Sequence, residues 1–471
     1  MATPDRPPGV TRILTAAGIG YALCWLDLNA LVVALVPMAE DLHADVDQIH
    51  WIIQSPYLVV AALLIPIGGV TDRVGARRVF ITGLVAYGTA SLLAGLSPNV
   101  EMLVVGRIAQ GVGAAMLIGS AVAYLAVAYG DHPGRAPAIA MWTAVVAFVG
   151  GFGTALGGIL ATIDWRWIFL GSMALSVVGL VLLIGLPPTL ATPGSHQRQD
   201  IWWQVQASAA AVLIVACLTE SGPRIDVPAI AMGLLGLALL AAAGVRISRA
   251  GTTQHERSVL TTPGYRTGLA VAVTVNLVIY ALPVTIALYL AGSLRWSPLV
   301  IGFALLPIWV TNAALRLVVG RLMRTFGSRL MIVLGMGAGA ASFAILAIVA
   351  GQPVYSPPVL LVLVGCGVAI SFAIPASVAV VVDAIPNELQ GRGNGILNSA
   401  RQAALAVGIA TCSLFVDLAG TTGEAFLPIG VGGAVILVLV TAYALRPGGM
   451  RERAVETPVP VVASEPQDQR P

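Results

Sequence analysis

Long apolar runs broken by short polar stretches make up almost the whole chain, and the polar stretches carry its arginines. Residues 51–70 and 79–96 are two such runs, joined by Gly68-Gly-Val-Thr-Asp72-Arg73-Val-Gly75-Ala-Arg77-Arg78. An apolar run of about twenty residues crosses a bilayer as a helix, so the turn between two of them lies in water. Only 10% of the 471 residues are charged and 58% are hydrophobic. A soluble domain of this length carries roughly 25% charged residues. These proportions exclude an ordinary soluble domain and point to an all-α membrane protein of many spans.

Fourteen spans are expected, near residues 12–36, 49–71, 78–97, 101–127, 137–161, 166–186, 201–219, 227–247, 266–291, 298–319, 329–350, 357–382, 395–417 and 425–446. Every basic residue is an arginine. If the loop after the second span is cytoplasmic, most arginines fall on that side. Only Arg166, Arg224 and Arg295 fall outside, and Arg107, Arg316 and Arg401 lie within spans. Arginine-rich short loops stay cytoplasmic, so both termini are expected there, at the plasma (inner) membrane. The small positive charge follows topology and implies no nucleic-acid partner.

The chain also repeats. Gly320-Arg-Leu-Met-Arg324-Thr-Phe-Gly327-Ser-Arg329 falls between spans ten and eleven, as Gly68–Arg78 falls between two and three. Gly68 aligns with Gly320, Gly75 with Gly327 and Arg77 with Arg329, while Asp72 aligns with Arg324. Two six-helix halves related by repetition are a common transporter plan. The expected division is 1–11, a cytoplasmic N-terminus rather than a cleaved leader; 12–186, the first half; 187–265, a linker with two extra helices; 266–446, the second half; and 447–471, a disordered cytoplasmic tail.

Several stretches resemble the major facilitator superfamily, and in particular its fourteen-helix drug:proton antiporters. The family's loop between the second and third helices reads Gly-x-x-x-Asp-Arg-x-Gly-Arg-Arg. Gly68, Asp72, Arg73, Gly75, Arg77 and Arg78 match it and Ala76 departs. The alternative is a loop that serves charge bias alone. Leu26-Asp27-Leu-Asn29-Ala-Leu resembles the first-helix motif, with Asn29 in place of Thr. Arg107-Ile-Ala-Gln110-Gly111-Val-Gly113-Ala is similar to the fourth-helix motif at every marked position. Gly153-Thr154-Ala-Leu-Gly157-Gly158 resembles the antiporter motif of span five, but Thr154 stands where proline is expected. Trp165-Arg-Trp167-Ile-Phe169 and Gly391-Arg-Gly-Asn-Gly395-Ile-Leu-Asn398-Ser-Ala-Arg401-Gln402 extend the resemblance across both halves.

Asp27 is the residue most open to coupling chemistry. It lies roughly 22 Å from one end of its span and 14 Å from the other at 1.5 Å per residue. A carboxylate there costs about 2.5–3.5 kcal/mol on insertion scales and should face a cavity or a cation. Burial disfavours its charge and a cation favours it, which suits a residue that gains and loses a proton. Arg107, at similar depth, is the expected partner and cannot give up its charge. A purely structural ion pair is the other reading. Arg401 either snorkels toward the cytoplasm or holds the halves together, with Asp383 and Glu388 as partners to consider. Arg316 is expected to snorkel.

Polar groups that the cavity can use are Asn29, Gln54, Tyr57, Gln110, Trp142, Asn276, Tyr280, Asn312 and Gln402, though each also suits a helix–helix hydrogen bond. Cys24, Cys217, Cys366 and Cys412 sit in apolar runs without metal-ligand spacing and read as small hydrophobes. No enzyme constellation, metal site or cofactor is expected. The resemblance implies a monomeric secondary transporter that exports hydrophobic or amphipathic small molecules in exchange for protons. A dedicated metabolite exporter, an importer, and a non-transporting membrane sensor or scaffold remain open from sequence.

Overall fold

A computed structural model describes residues 10–129, 149, 152–184, 202–220, 227–249, 262–350, 357–385, 390–419 and 422–446. Every regular element among them is helical. The expected first half holds α1 (Val10–Leu42), α2 (Val46–Val74), α3 (Ala76–Gly95), α4 (Val100–Tyr129), α5 (Gly153–Ile163) and α6 (Arg166–Leu183). The expected linker holds α7 (Trp202–Glu220) and α8 (Val227–Arg249). The expected second half holds α9 (Pro263–Thr274), a π turn (Val275–Ile279), α10 (Leu282–Gly292), α11 (Pro298–Ala304), α12 (Leu306–Ile348), α13 (Pro357–Asp383), α14 (Gln390–Ala419) and α15 (Thr422–Ala444).

Nine helices among the described residues are long and apolar enough to cross a membrane, and ten if the two arms of α1 count as one span. Four further apolar stretches, counted over described side chains alone, run 10–17 residues: Gln48–Leu64, Gly153–Ile163, Ala209–Leu218 and Pro228–Ala242. The shortfall from the expected fourteen falls on these four, within α2, α5, α7 and α8. Trp142 and most of the expected fifth span lie outside the described residues.

The outward faces are apolar. Leu234, Leu235, Leu237 and Leu240 of α8 are exposed, as are Val431, Val435, Val438 and Leu439 of α15. Water would not tolerate such contiguous apolar surface, whereas lipid tails match it. Inside each half, small residues let backbones approach. A Cβ on Gly113 would stand 2.6 Å from the Tyr87 nitrogen, so α4 lies directly on α3.

The expected repeat is visible in the backbone. Gly75 ends α2 at φ 97°, and Gly327 interrupts α12 at φ 76°. These are the positive-φ glycines among the described residues, a region L side chains rarely enter. Gly327 therefore divides α12 into the tenth and eleventh expected spans. The sequence-aligned Gly68 and Gly320 also behave alike, because a Cβ at either would meet nothing within 4 Å.

The halves meet along α2–α14, α5–α11 and α1–α10, with α1 also touching α11. The linker pair packs on itself, and α7 reaches both α2 and α14, so it lies on the seam between the halves.

Candidate functional site

At the centre of the first half is an ion pair without access to solvent. Arg107 Nη1 donates to Asp27 Oδ2 at 2.5 Å, with Arg107 0% and Asp27 1% exposed. Nη1 also donates to Gln110 Oε1 at 2.7 Å, and Nε to the Ile52 carbonyl at 3.1 Å. Gln110 in turn donates to Ser91 Oγ at 2.8 Å. The Phe169 ring, 5.7 Å from the guanidinium carbon, covers one face. Four elements thus hold Arg107 in one geometry. Gly111 contributes as well: a Cβ there would lie 2.7 Å from Val59, so α4 can sit against α2 only with glycine at that place.

Asp27 lies at a bend. The arms Thr11–Asp27 and Asn29–Leu42 diverge by 42°. Asn29 Nδ2 donates to the Trp25 carbonyl at 2.8 Å, a side-chain bond to the preceding turn of the kind that bends helices. The glycines of α5 seat on this bend. A Cβ at Gly153 would come within 2.6 Å of the Leu26 carbonyl, and one at Gly157 would collide with Ala30. The next residue faces the other half: a Cβ at Gly158 would lie 2.6 Å from the Pro298 carbonyl of α11. Gly302 of α11 meets the Thr154 carbonyl in the same way, at 2.5 Å. Thr154 is buried, and its hydroxyl has no hydrogen-bond partner among the described residues.

A narrow cleft borders Asp27, lined by Tyr57, Tyr87, Arg107 and Gln110 from the first half and Gln402 from α14. A second cleft shares Gln402 and continues along Tyr21, Trp25, Asn398 and Arg401. Arg401 Nη1 donates to Asn398 Oδ1 at 3.2 Å, and Asn398 Nδ2 to the Asn394 carbonyl at 3.0 Å. Asp383 is exposed and makes no ion pair with Arg401, while Glu388 lies outside the described residues.

Aromatic rings bridge the halves beside this second cleft. Trp25 and Tyr280 have centroids 6.1 Å apart, and Tyr280 and Trp309 are separated by 6.3 Å. The π turn places Tyr280 there, and Asn276 within that turn donates to the Ala272 carbonyl at 2.8 Å. Asn312, one turn from Trp309, accepts from Arg316 Nε at 3.0 Å and from Ser371 at 3.0 Å. Arg316 therefore leans back toward mid-helix instead of snorkelling. Helical side chains tilt toward their helix N-terminus, which here leads inward.

Of the residues named from sequence, the structure gathers Asp27, Arg107, Gln110, Tyr57 and Gln402 around one cleft, and Asn398 and Arg401 around the next. Gln54 is fully buried on α2. The arginine-rich loop lines neither cleft: Arg73 and Arg78 are exposed, and Arg77 lies within electrostatic reach of Tyr124. The side chain of Asp72 is outside the described set. At the other end of the bundle, Arg166 and Trp165 both donate to Asp41, at 2.7 and 3.2 Å. Trp165 is buried and Trp167 exposed, so only the second is placed as an interfacial ring. Sequence reasoning missed Tyr21, Trp25 and Trp309. The spacing of Tyr21 with Trp25, and of Trp309 with Asn312 and Arg316, places each set on one helix face and was the available signal.

A family model described as Major Facilitator Superfamily matches residues 17–409. The chain belongs to the major facilitator superfamily. It is a multi-pass membrane transporter and not an enzyme. It is 26% identical over 468 residues to a methylenomycin A resistance protein of Streptomyces coelicolor, covering 96% of this chain and 95% of that one. It is 30% identical over 346 residues to a lincomycin resistance protein of Streptomyces lincolnensis, covering 71% and 69%. A multidrug resistance protein, Stp, of Mycobacterium tuberculosis is 25% identical over 408 residues, covering 85% and 75%. Among solved structures, a peptide transporter aligns with a TM-score of 0.68 at 18% identity, over 94% of this chain and 96% of that one. That likeness concerns the fold.

Proposed function

We propose that this superfamily member exports hydrophobic or amphipathic small molecules, drugs or antibiotics among them, in exchange for protons. Relatives named for drug and antibiotic resistance along most of the chain support export. The observation that carries proton exchange is the Asp27–Arg107 pair, a buried carboxylate on a bent helix beside a cleft at the seam. Arg107 keeps its charge, so a proton arriving at Asp27 changes the charge of the pair. A change of charge drives transport only if the two states favour different conformations, and the bend that abuts α5 supplies such a difference.

The architecture we assign is fourteen spans, the ten long ones and the four shorter apolar helices together, in two halves of six plus the pair α7 and α8. The protein works as a monomer in the plasma membrane with both termini cytoplasmic, as the arginine distribution favours. Gly68, Asp72, Arg73, Gly75, Arg77 and Arg78 serve as a cytoplasmic gate. In it Asp72 docks on the N-terminal end of α14 when the protein opens outward, a placement favourable by about 0.3–1 kcal/mol. The deciding experiment is substrate-induced proton flux in vesicles reconstituted with the purified chain. Export without accompanying proton movement would refute the exchange.

A further inference from the structure

Two guanidinium groups of the second half face the seam, and neither meets a carboxylate among the described residues. Arg401 lines the second cleft, where its Nη1 bonds Asn398 and its buried Nε has no partner. Arg316 spends its Nε on Asn312, a neutral acceptor. Tyr21, which lines the same cleft, lies within electrostatic reach of both. Asp27 is the one buried acid among the described side chains, and Arg107 already engages it. Among the described residues, neither of these two charges has a carboxylate counter-charge at the seam. Both guanidinium groups are half-buried; a partly desolvated cation without a counter-charge carries a cost that an arriving anion offsets. The planar fork of a guanidinium matches a carboxylate through two parallel hydrogen bonds. Next to these charges stand the Trp25, Tyr280 and Trp309 rings, an apolar wall for the remainder of a ligand.

We propose that the transported molecule is an organic anion, a carboxylate carried on an apolar or aromatic body, with its charge held by Arg316 and Arg401 and its body against the aromatic wall. This rests on the export reading above and narrows its substrate class. It also places the substrate charge on the second half and the proton on the first, so the two ligands do not compete for one carboxylate.

Three probes of matched shape test it: naphthoate, naphthamide and naphthylmethylammonium. Equilibrium dialysis against the purified full chain in lipid nanodiscs, corrected with protein-free discs, reads binding. Naphthoate should bind at least about tenfold more tightly than the other two, as loss of a charge-assisted hydrogen bond implies. Arg401→Gln and Arg316→Gln should each erase most of that preference, weakening naphthoate binding far more than naphthamide binding. Arg401→Lys should retain part of it, which separates lost charge from lost fold. Naphthamide or naphthylmethylammonium binding as tightly as naphthoate to the wild type would overturn the proposal, as would absence of naphthoate binding or an intact preference in both glutamine variants. Flux of the same probes into vesicles under an imposed pH gradient reads the export mechanism separately. Gradient-driven movement of the amide or the ammonium without preference for naphthoate overturns the anion assignment and leaves proton-coupled export standing. Tight naphthoate binding with no gradient-driven flux supports the anion site and refutes proton coupling.

Discussion

Asp27→Asn keeps the side-chain volume and one carbonyl oxygen for Arg107, but removes the negative charge and the capacity to carry a proton. Arg107 still has the Ile52 carbonyl, Gln110 and the Phe169 ring. The carboxamide still accepts one hydrogen bond but leaves the buried guanidinium without a counter-charge, so the loss should approach about 3 kcal/mol of stability. Asp27→Ala removes the acceptor entirely and strands a buried guanidinium, which should cost about 3–5 kcal/mol. Arg107→Gln should cost less than Asp27→Ala, because an isolated carboxylate can neutralise by binding a proton and a guanidinium cannot. The double variant Asp27→Asn with Arg107→Gln removes both charges and should recover much of the stability lost in either single one. Thermal unfolding in detergent measures these differences. Transport then separates folding from coupling: Asp27→Asn and the double variant should both lose uphill efflux while keeping substrate binding and part of downhill exchange. If Asp27→Asn still concentrates substrate against its gradient in a proton-dependent way, Asp27 is not the coupling group and the reasoning fails.

Gly157→Val places a branched side chain where even a Cβ meets Ala30, and should cost about 1–3 kcal/mol of thermal stability, whereas Gly68→Ala, with open space around it, should leave stability unchanged. Thr154→Pro should give folded protein at wild-type levels and undiminished uphill transport, since Thr154 lies in the first turn of α5, where proline is tolerated. A collapse in expression would show that the turn needs the Thr154 N–H. Single cysteines at Arg73 and Arg324 should label from the cytoplasm and one at Pro98 from outside; labelling of all three from one side would remove the assigned orientation. Asp72→Asn should weaken the gate and raise cytoplasmic accessibility along α14, and unchanged accessibility would count against the docking of Asp72 there.

The ion pair was legible in the sequence because both partners interrupt apolar runs, where charge is expensive and must find its opposite. The repeated Gly75 and Gly327 were legible because a sharp turn between two helices needs a backbone that few residues adopt. What crosses the seam was not. Trp25, Tyr280 and Trp309 belong to three helices far apart in the chain, and an aromatic residue in an apolar run looks the same whether it faces lipid or another ring. Arg316 read as a snorkelling residue because its position near a span end was visible and its direction was not; the direction follows from the tilt of side chains toward the helix start. The position of α7 on the seam was hidden for a similar reason, since a helix apolar on all sides carries no mark of which face is covered.

We propose that the glycines of α5 link the charge of Asp27 to the contact between the halves. Gly153 and Gly157 bring α5 onto Leu26 and Ala30, on either side of the bend that carries Asp27. Gly158 turns the same short helix toward Pro298 of the other half. These contacts have no side chain to compress, so a shift of α1 is passed on as a shift of α5. In the structure Arg107 engages Asp27 on the bent α1, and α5 rests against α11. Protonation of Asp27 weakens that hold, and a straightening α1 is expected to press Ala30 into α5 and lift Gly158 from Pro298. Packed interfaces exchange between discrete arrangements instead of deforming smoothly, so a small movement at the bend is enough to part the halves at this end. A larger residue at Gly158 should mimic that separation without a proton, and a larger residue at Gly157 should disturb the bend itself. The first should bias the protein toward the open state at the α11 end in cysteine-accessibility measurements at any pH, while the second should impair the response to pH. Equal and pH-independent effects of the two substitutions would mean that α5 is a passive spacer and that the proton acts on the halves by another route.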